Sequence, residues 1–167
     1  MGRVYQIKQL ALSRLPQAFP LIQASMPEIA LEDWLAYGRV LIAAATQGGI
    51  MTAEGADRYI YGLFCYRIDA SPRYESILTV EHFVVLDMVG QNDTTLQLLG
   101  AIEGLAERLR CVHLQIVLPQ HSVAPDDGGL RAVLQANGLR IEGVKFGKNA
   151  GMPPARTDGL PALSRPD

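Results

Sequence analysis

The stretch Ile77–Met88, ILTVEHFVVLDM, decides how the rest of the chain is read. Ile77, Leu78, Val80, Phe83, Val84, Val85 and Leu86 leave few polar positions between them. A run of that kind suits a strand buried on both faces, and it predicts a central strand with a neighbour on each side. Gly90–Asp93 then reads as a loop. From Thr94 the period becomes helical through Leu96, Leu99, Ile102, Leu105, Ala106 and Leu109, with Asp93 or Thr94 as the cap. Cys111–Leu118 reads as a second buried strand, closed by Pro119. Strand, helix, strand is the crossover unit that joins parallel strands.

Working back from this unit, Ser71-Pro72 marks a turn, and Arg58–Asp69 is rich in the aromatic and branched side chains that favour a pleated surface. Ile50–Thr52 reads as a short strand and Val4–Gln9 as the first. Between them lie two helical stripes. Leu12, Leu15, Phe19, Ile22 and Met26 form one, with Ser13 as cap and Pro16 in the first turn. Pro20 predicts a kink or a second start, and Pro27 ends the helix. Leu31, Trp34, Leu35, Leu41, Ile42 and Ala45 form the other, with Gly48 and Gly49 as its left-handed stop. Towards the C-terminus, Leu130–Asn137 reads as a short helix ended by Gly138, and Leu139–Phe146 as a last strand or strand pair. The prediction is one α/β domain over 1–148, a mixed sheet flanked by helices, followed by a proline-rich tail over 149–167 without a core of its own.

Composition narrows the function classes. The 167 residues are 49% hydrophobic and 19% charged, with a net charge of -2 and charges of both signs interspersed. A nucleic-acid partner is therefore disfavoured. The first residues lack a signal peptide's apolar core, and no apolar run approaches the roughly 20 residues of a membrane span. The expectation is a cytoplasmic protein that uses no membrane. Cys65 and Cys111 have neither zinc nor redox spacing and read as small buried hydrophobes. His82 and His113 fall on neighbouring strands, but two histidines make no metal site, and none is expected.

The order of elements resembles the GNAT superfamily of acetyl-CoA-dependent N-acetyltransferases over roughly residues 4–147. The likeness rests on the long strand from Ile77, on Leu96-Gln97-Leu98-Leu99 one turn into the next helix, and on Ala132–Leu139, AVLQANGL, as the closing helix. It implies transfer of an acetyl or other acyl group from acyl-CoA to an amine on a small molecule or a protein, and it leaves room for a homodimer. The strands from Ile77 and Cys111 would splay around the pantetheine. Val85 and Leu86 would offer it backbone hydrogen bonds, and Gln91, Asn92, Asp93, Thr94 and Thr95 would hold the pyrophosphate at a helix N-terminus. Glu81 would be the base, directly or through water.

The chain departs from the family's pattern in two places. Gly90–Thr95, GQNDTT, has Asp93 and Thr95 where the coenzyme loop carries small residues, and a carboxylate there competes with a pyrophosphate for the same amides. These residues can be read as a plain helix cap or as a phosphate cradle. Leu134 stands where a tyrosine usually protonates the leaving thiolate, and Leu139 replaces the usual phenylalanine. Tyr59, Tyr61, Tyr66 or Tyr74 could substitute only through a different geometry. The other reading is a catalytically inactive module of the same fold with a binding or regulatory role.

Overall fold

The computed structural model describes residues 4–86, 93–119, 129–143 and 145–147. In chain order the elements are β1 (Gln6–Gln9), α1 (Leu15–Ser25), α2 (Leu31–Ala43), β2 (Gly48–Glu54), β3 (Ile60–Asp69), β4 (Ile77–Val85), α3 (Asp93–Arg108), β5 (His113–Ile116) and α4 (Leu130–Ala136). The strands form one five-stranded sheet in the order β1-β2-β3-β4-β5. Every pair is antiparallel except β4 with β5, which is parallel and joined across α3. The expected central strand therefore has its two neighbours, and the mixed α/β sheet is as the sequence predicts.

Alternation along β3 and β4 divides the core between the two faces. Leu63, Cys65 and Val84 meet Leu15, Ile22, Trp34 and Leu41 of α1 and α2. Phe64, Tyr66, Leu78, Val80 and Phe83 meet Leu98, Ile102 and Leu105 of α3. The Trp34 Nε1–H donates to the Leu15 carbonyl at 2.9 Å, which locks α2 against α1 without leaving the indole unpaired. Cys65 is 1% exposed, and burial pushes its thiol far up, as suits an inert core residue.

Several local expectations need correction. Ser13 does not cap α1: it lies in a short 3-10 turn, Leu12–Arg14, and α1 begins without a side-chain cap. Pro16 does sit in the first turn, and Pro20 is carried inside α1. The hydrogen bond that Pro20 forgoes would have gone back one turn to Pro16. Gly48 and Gly49 do not stop α2. They open β2, and the left-handed residue beyond α2 is Ala45, at φ 50°. The need for glycine here is steric: a Cβ on Gly49 would lie 2.8 Å from the Tyr66 hydroxyl. β5 is half-buried rather than fully buried. Residues 139–143 and 145–147 carry no strand, and Ile141 and Phe146 are exposed. The predicted tail, 149–167, lies outside the described residues, as does the end of the predicted domain at 148.

One carboxylate is buried at the β1–β2 edge. Glu54 is 2% exposed; Lys8 Nζ lies 2.8 Å from Oε2, Arg14 Nη1 contacts Oε1, and the Thr52 hydroxyl donates to Oε1 at 3.2 Å. Burial pushes the Glu54 carboxyl up, but the hydrogen bonds and charges of Lys8 and Arg14 prevail and hold it below the usual range. The contribution to stability is thus full above the ordinary glutamate value of about 4.3 and is lost as pH falls below it. Glu54→Gln is expected to cost about 2 kcal/mol at neutral pH, below the figure for fully enclosed pairs because Lys8 and Arg14 reach solvent. Urea unfolding of both proteins checks this, with the gap narrowing as pH falls through 4.

Candidate functional site

The site begins with an interruption in β4. Its ladder to β3 pairs Cys65 with Glu81 and Leu63 with Val84, so His82 and Phe83 together oppose Phe64. This is a β-bulge, with His82 at φ 52°. The extra residue takes a left-handed conformation that is costly for a non-glycine residue, and such strain persists only where the surroundings impose it. The ladder to β5 stops at the same point. Ile77–Val80 pair with His113–Ile116, Val117 N–H donates to the Val80 carbonyl at 2.8 Å, and no strand pairing joins the two beyond that. β4 nevertheless continues to Val85. Residues 81–85 of β4 thus have no β5 partner among the described residues.

The bulge also overturns the simple alternation that would put Glu81 and His82 on opposite faces. Glu81 lies opposite Cys65 on the α1/α2 face, and the His82 ring meets Tyr37 of α2 edge-on, with centroids 5.3 Å apart. Both side chains are therefore directed to α2. Arg67 donates from Nη1 to Glu81 Oε2 at 2.6 Å and from Nε to Asp69, while Lys145 Nζ stands 3.6 Å from the other Glu81 oxygen. Both Glu81 oxygens thus already have cationic neighbours. His82 differs: burial lowers its affinity for a proton, against a weaker opposing pull from Glu81, so the imidazole is neutral at physiological pH. Burial likewise pushes the Tyr37 phenol up, helped by Cys65 and Glu81 and opposed by Arg67. The arrangement can offer a carboxylate, a neutral imidazole and a protonated phenol on one side of the sheet. The contact between His82 and Tyr37 was not visible in the sequence, because a bulge leaves no periodic signal.

The residues expected to hold a coenzyme fall at the same end of β4. Val85 pairs with Gly62 at the end of the strand, and Leu86 N–H donates to the Tyr61 carbonyl at 2.8 Å. The Leu86 amide is thus already engaged towards β3. Asp93 is the first described residue of α3 and lies in its first turn. Thr94 and Thr95 are 2% and 3% exposed. Thr94 packs on β3, where a Cβ on Gly62 would lie 3.2 Å from its methyl. Gln91 and Asn92 lie outside the described residues. Leu134 is buried in α4 and fills core space. Among the described residues no group of three His, Cys, Asp or Glu side chains could hold a metal, and no helix is long and apolar enough to cross a membrane.

This frame is shared with solved structures. The aminoglycoside N-acetyltransferase AAC(6')-Iy in complex with CoA superposes with a TM-score of 0.72 at 20% identity, over 89% of this chain and 97% of that one. Glucosamine-6-phosphate N-acetyltransferase from Arabidopsis thaliana gives 0.67 at 10% identity, over 87% and 98%. The fold is the GNAT fold. A transcriptional regulator from Bacillus halodurans C-125 shares it too, with a TM-score of 0.67 at 16% identity over 86% and 99% of the two chains. No family model and no curated protein sequence matches the chain. Within the GNAT fold, the bulge and the parting of β4 from β5 form the candidate site.

The lowered proton affinity of the half-buried His82 has a direct readout. Its imidazole is expected to titrate below the ordinary midpoint of about 6.5 when its ring protons are followed by NMR. Since the folded value is the lower one, this group's contribution to stability is full above that pH and is lost as pH falls. His82→Asn, which tolerates the left-handed conformation, should be more stable than His82→Val by about 1 kcal/mol or more.

Proposed function

We propose that the chain is an acyl-CoA-dependent N-acyltransferase. The observation that carries this reading is the end of the β4–β5 ladder at Val80 beside a bulge that turns both Glu81 and His82 to the α2 side of the sheet. An opening between parallel strands, next to the N-terminus of the crossover helix, suits an extended ligand whose phosphates reach the first amides of that helix. Acyl-CoA would supply a thioester carbonyl as the electrophile. Val85 and Leu86 would flank the pantetheine, and the backbone of Gln91, Asn92, Asp93, Thr94 and Thr95 would meet the pyrophosphate. The acceptor amine would lose its proton to Glu81, directly or through a water. For Glu81 to serve as base, the acceptor must take the place of one of its cationic neighbours, Lys145 being the more exposed. The neutral His82 imidazole beside it is a second proton acceptor.

Asp93 favours the alternative, a GNAT-fold module without catalysis, because its carboxylate lies in the first turn where a pyrophosphate would bind. The burial of Thr94 and Thr95 points the same way, since their hydroxyls are not displayed to solvent. Calorimetric titration with acetyl-CoA and CoA separates the two readings. Binding is expected, and Asp93→Gly should tighten it a few-fold by removing a like charge worth roughly 0.3–1 kcal/mol at a helix N-terminus. With an amine acceptor supplied, Glu81→Gln should lower kcat by about 100-fold, the usual scale of general base catalysis. No heat of binding at millimolar CoA would leave the non-catalytic module as the surviving reading.

A further inference from the structure

On the face that carries Glu81, a cavity of about 440 Å³ opens where Asp69, Ile77 and His113 lie side by side in the sheet. Its size suits a small molecule. The Tyr74 and His113 rings in its wall are stacked, with centroids 4.1 Å apart and planes 1° from parallel. The Arg73 guanidinium lies over Tyr74, 5.2 Å from the ring centre. Ring stacking orients a guanidinium while leaving its N–H edge available.

The cavity wall carries two guanidinium groups, Arg67 and Arg73, and two carboxylates, Asp69 and Glu142. Its two carboxylates are already engaged: Asp69 accepts from Arg67 Nε at 3.0 Å, and Glu142 has Arg140 Nε at 3.5 Å from Oε1 and His113 Nε2 at 2.9 Å from Oε2. Arg73 is therefore the lining charge that no ion pair engages among the described residues. Arg67 lines the cavity and also holds Glu81, so cavity and bulge are joined by one side chain. From Glu81 to Ile77 the strand covers about 13 Å at the usual rise.

We propose that this cavity receives an acid group of the acyl acceptor, so that the acceptor is a small amine carrying a carboxylate or phosphate on the order of 10 Å from its nitrogen. The inference rests on the acyltransferase reading for the amine end alone. The acid end is set by Arg73, held against Tyr74 in a turn that Ser71 closes by accepting the Tyr74 N–H at 3.1 Å.

Binding of three probes to the full chain, measured by calorimetry without acyl-CoA, tests it. The probes are terminally substituted aminooctanoate, aminohexyl phosphate and aminooctanol, which span similar lengths and differ in the distal group. At least one acid is expected to bind about fivefold tighter than the alcohol, the scale of one charge-assisted contact near the surface. The tighter of the two acids identifies carboxylate or phosphate as the natural group. Arg73→Gln should erase the preference, and Tyr74→Leu should reduce it by releasing the guanidinium. Arg73 is exposed in a turn, so its replacement leaves the fold intact. Equal affinity for all three probes, no binding of any, or an acid preference that survives Arg73→Gln overturns the proposal. Because acyl-CoA is omitted, the result is readable even if the chain binds no coenzyme. Acetylation of aminooctanol as efficient as that of both acids would sink the acid-group proposal and leave the transferase reading standing.

Discussion

The bulge at His82 and Phe83 is the constraint on which the candidate site depends. A regular β4 would continue its ladder to β5 past Val80 and would turn His82 to the α3 face. Instead, the extra residue bends the strand, ends the parallel pairing and brings Glu81 and His82 to the same helix. The left-handed backbone at His82 is held by elements packed on both faces: Val84 against the α1/α2 core, and Phe83 against α3. A local cost of this sort is sustained by the hydrophobic burial around it.

Close packing fixes the neighbours of that bulge. Gly62 lets α3 approach β3 until Leu98 and Thr94 touch the strand, and a Cβ there would lie 2.9 Å from Leu98 Cδ1. This contact sets where the N-terminus of α3 lies relative to the end of β4. At the other side of the sheet, Gly48 and Gly49 let β2 pass beneath Leu41 and Tyr66. At these positions a Cβ would crowd neighbouring atoms, so any larger residue would require those neighbours to shift.

The parts of the fold legible in the sequence were those with a long, regular period. The two-faced run from Ile77, the stripe from Leu96 to Leu109 and the apolar face of α2 each gave an element of the expected type. Gly48 and Gly49 were misread because sequence alone does not distinguish a glycine needed for a left-handed turn from one needed for close approach. Ser13 was misread because α1 is entered through a 3-10 turn that shifts its start. At the site, Glu81 was reached through the family resemblance, whereas the pairing with Arg67 and the edge contact between His82 and Tyr37 join residues far apart in sequence. Tyr74 and His113 are likewise brought together by sheet register, which only the folded chain displays.

The direction of the strands has a mechanical consequence. β2 and β3, and β3 and β4, are antiparallel neighbours, so a short reversal clamps one end of each pair like a clasp. β4 and β5 have no clasp at either end, because the chain leaves one and returns to the other over the sixteen residues of α3. Among the described residues, lateral hydrogen bonds join the two strands from Ile77 to Val80, and beyond that point β4 has no partner in β5. The sheet can therefore part at this seam without unseating a turn, and the seam is where the bulge sits.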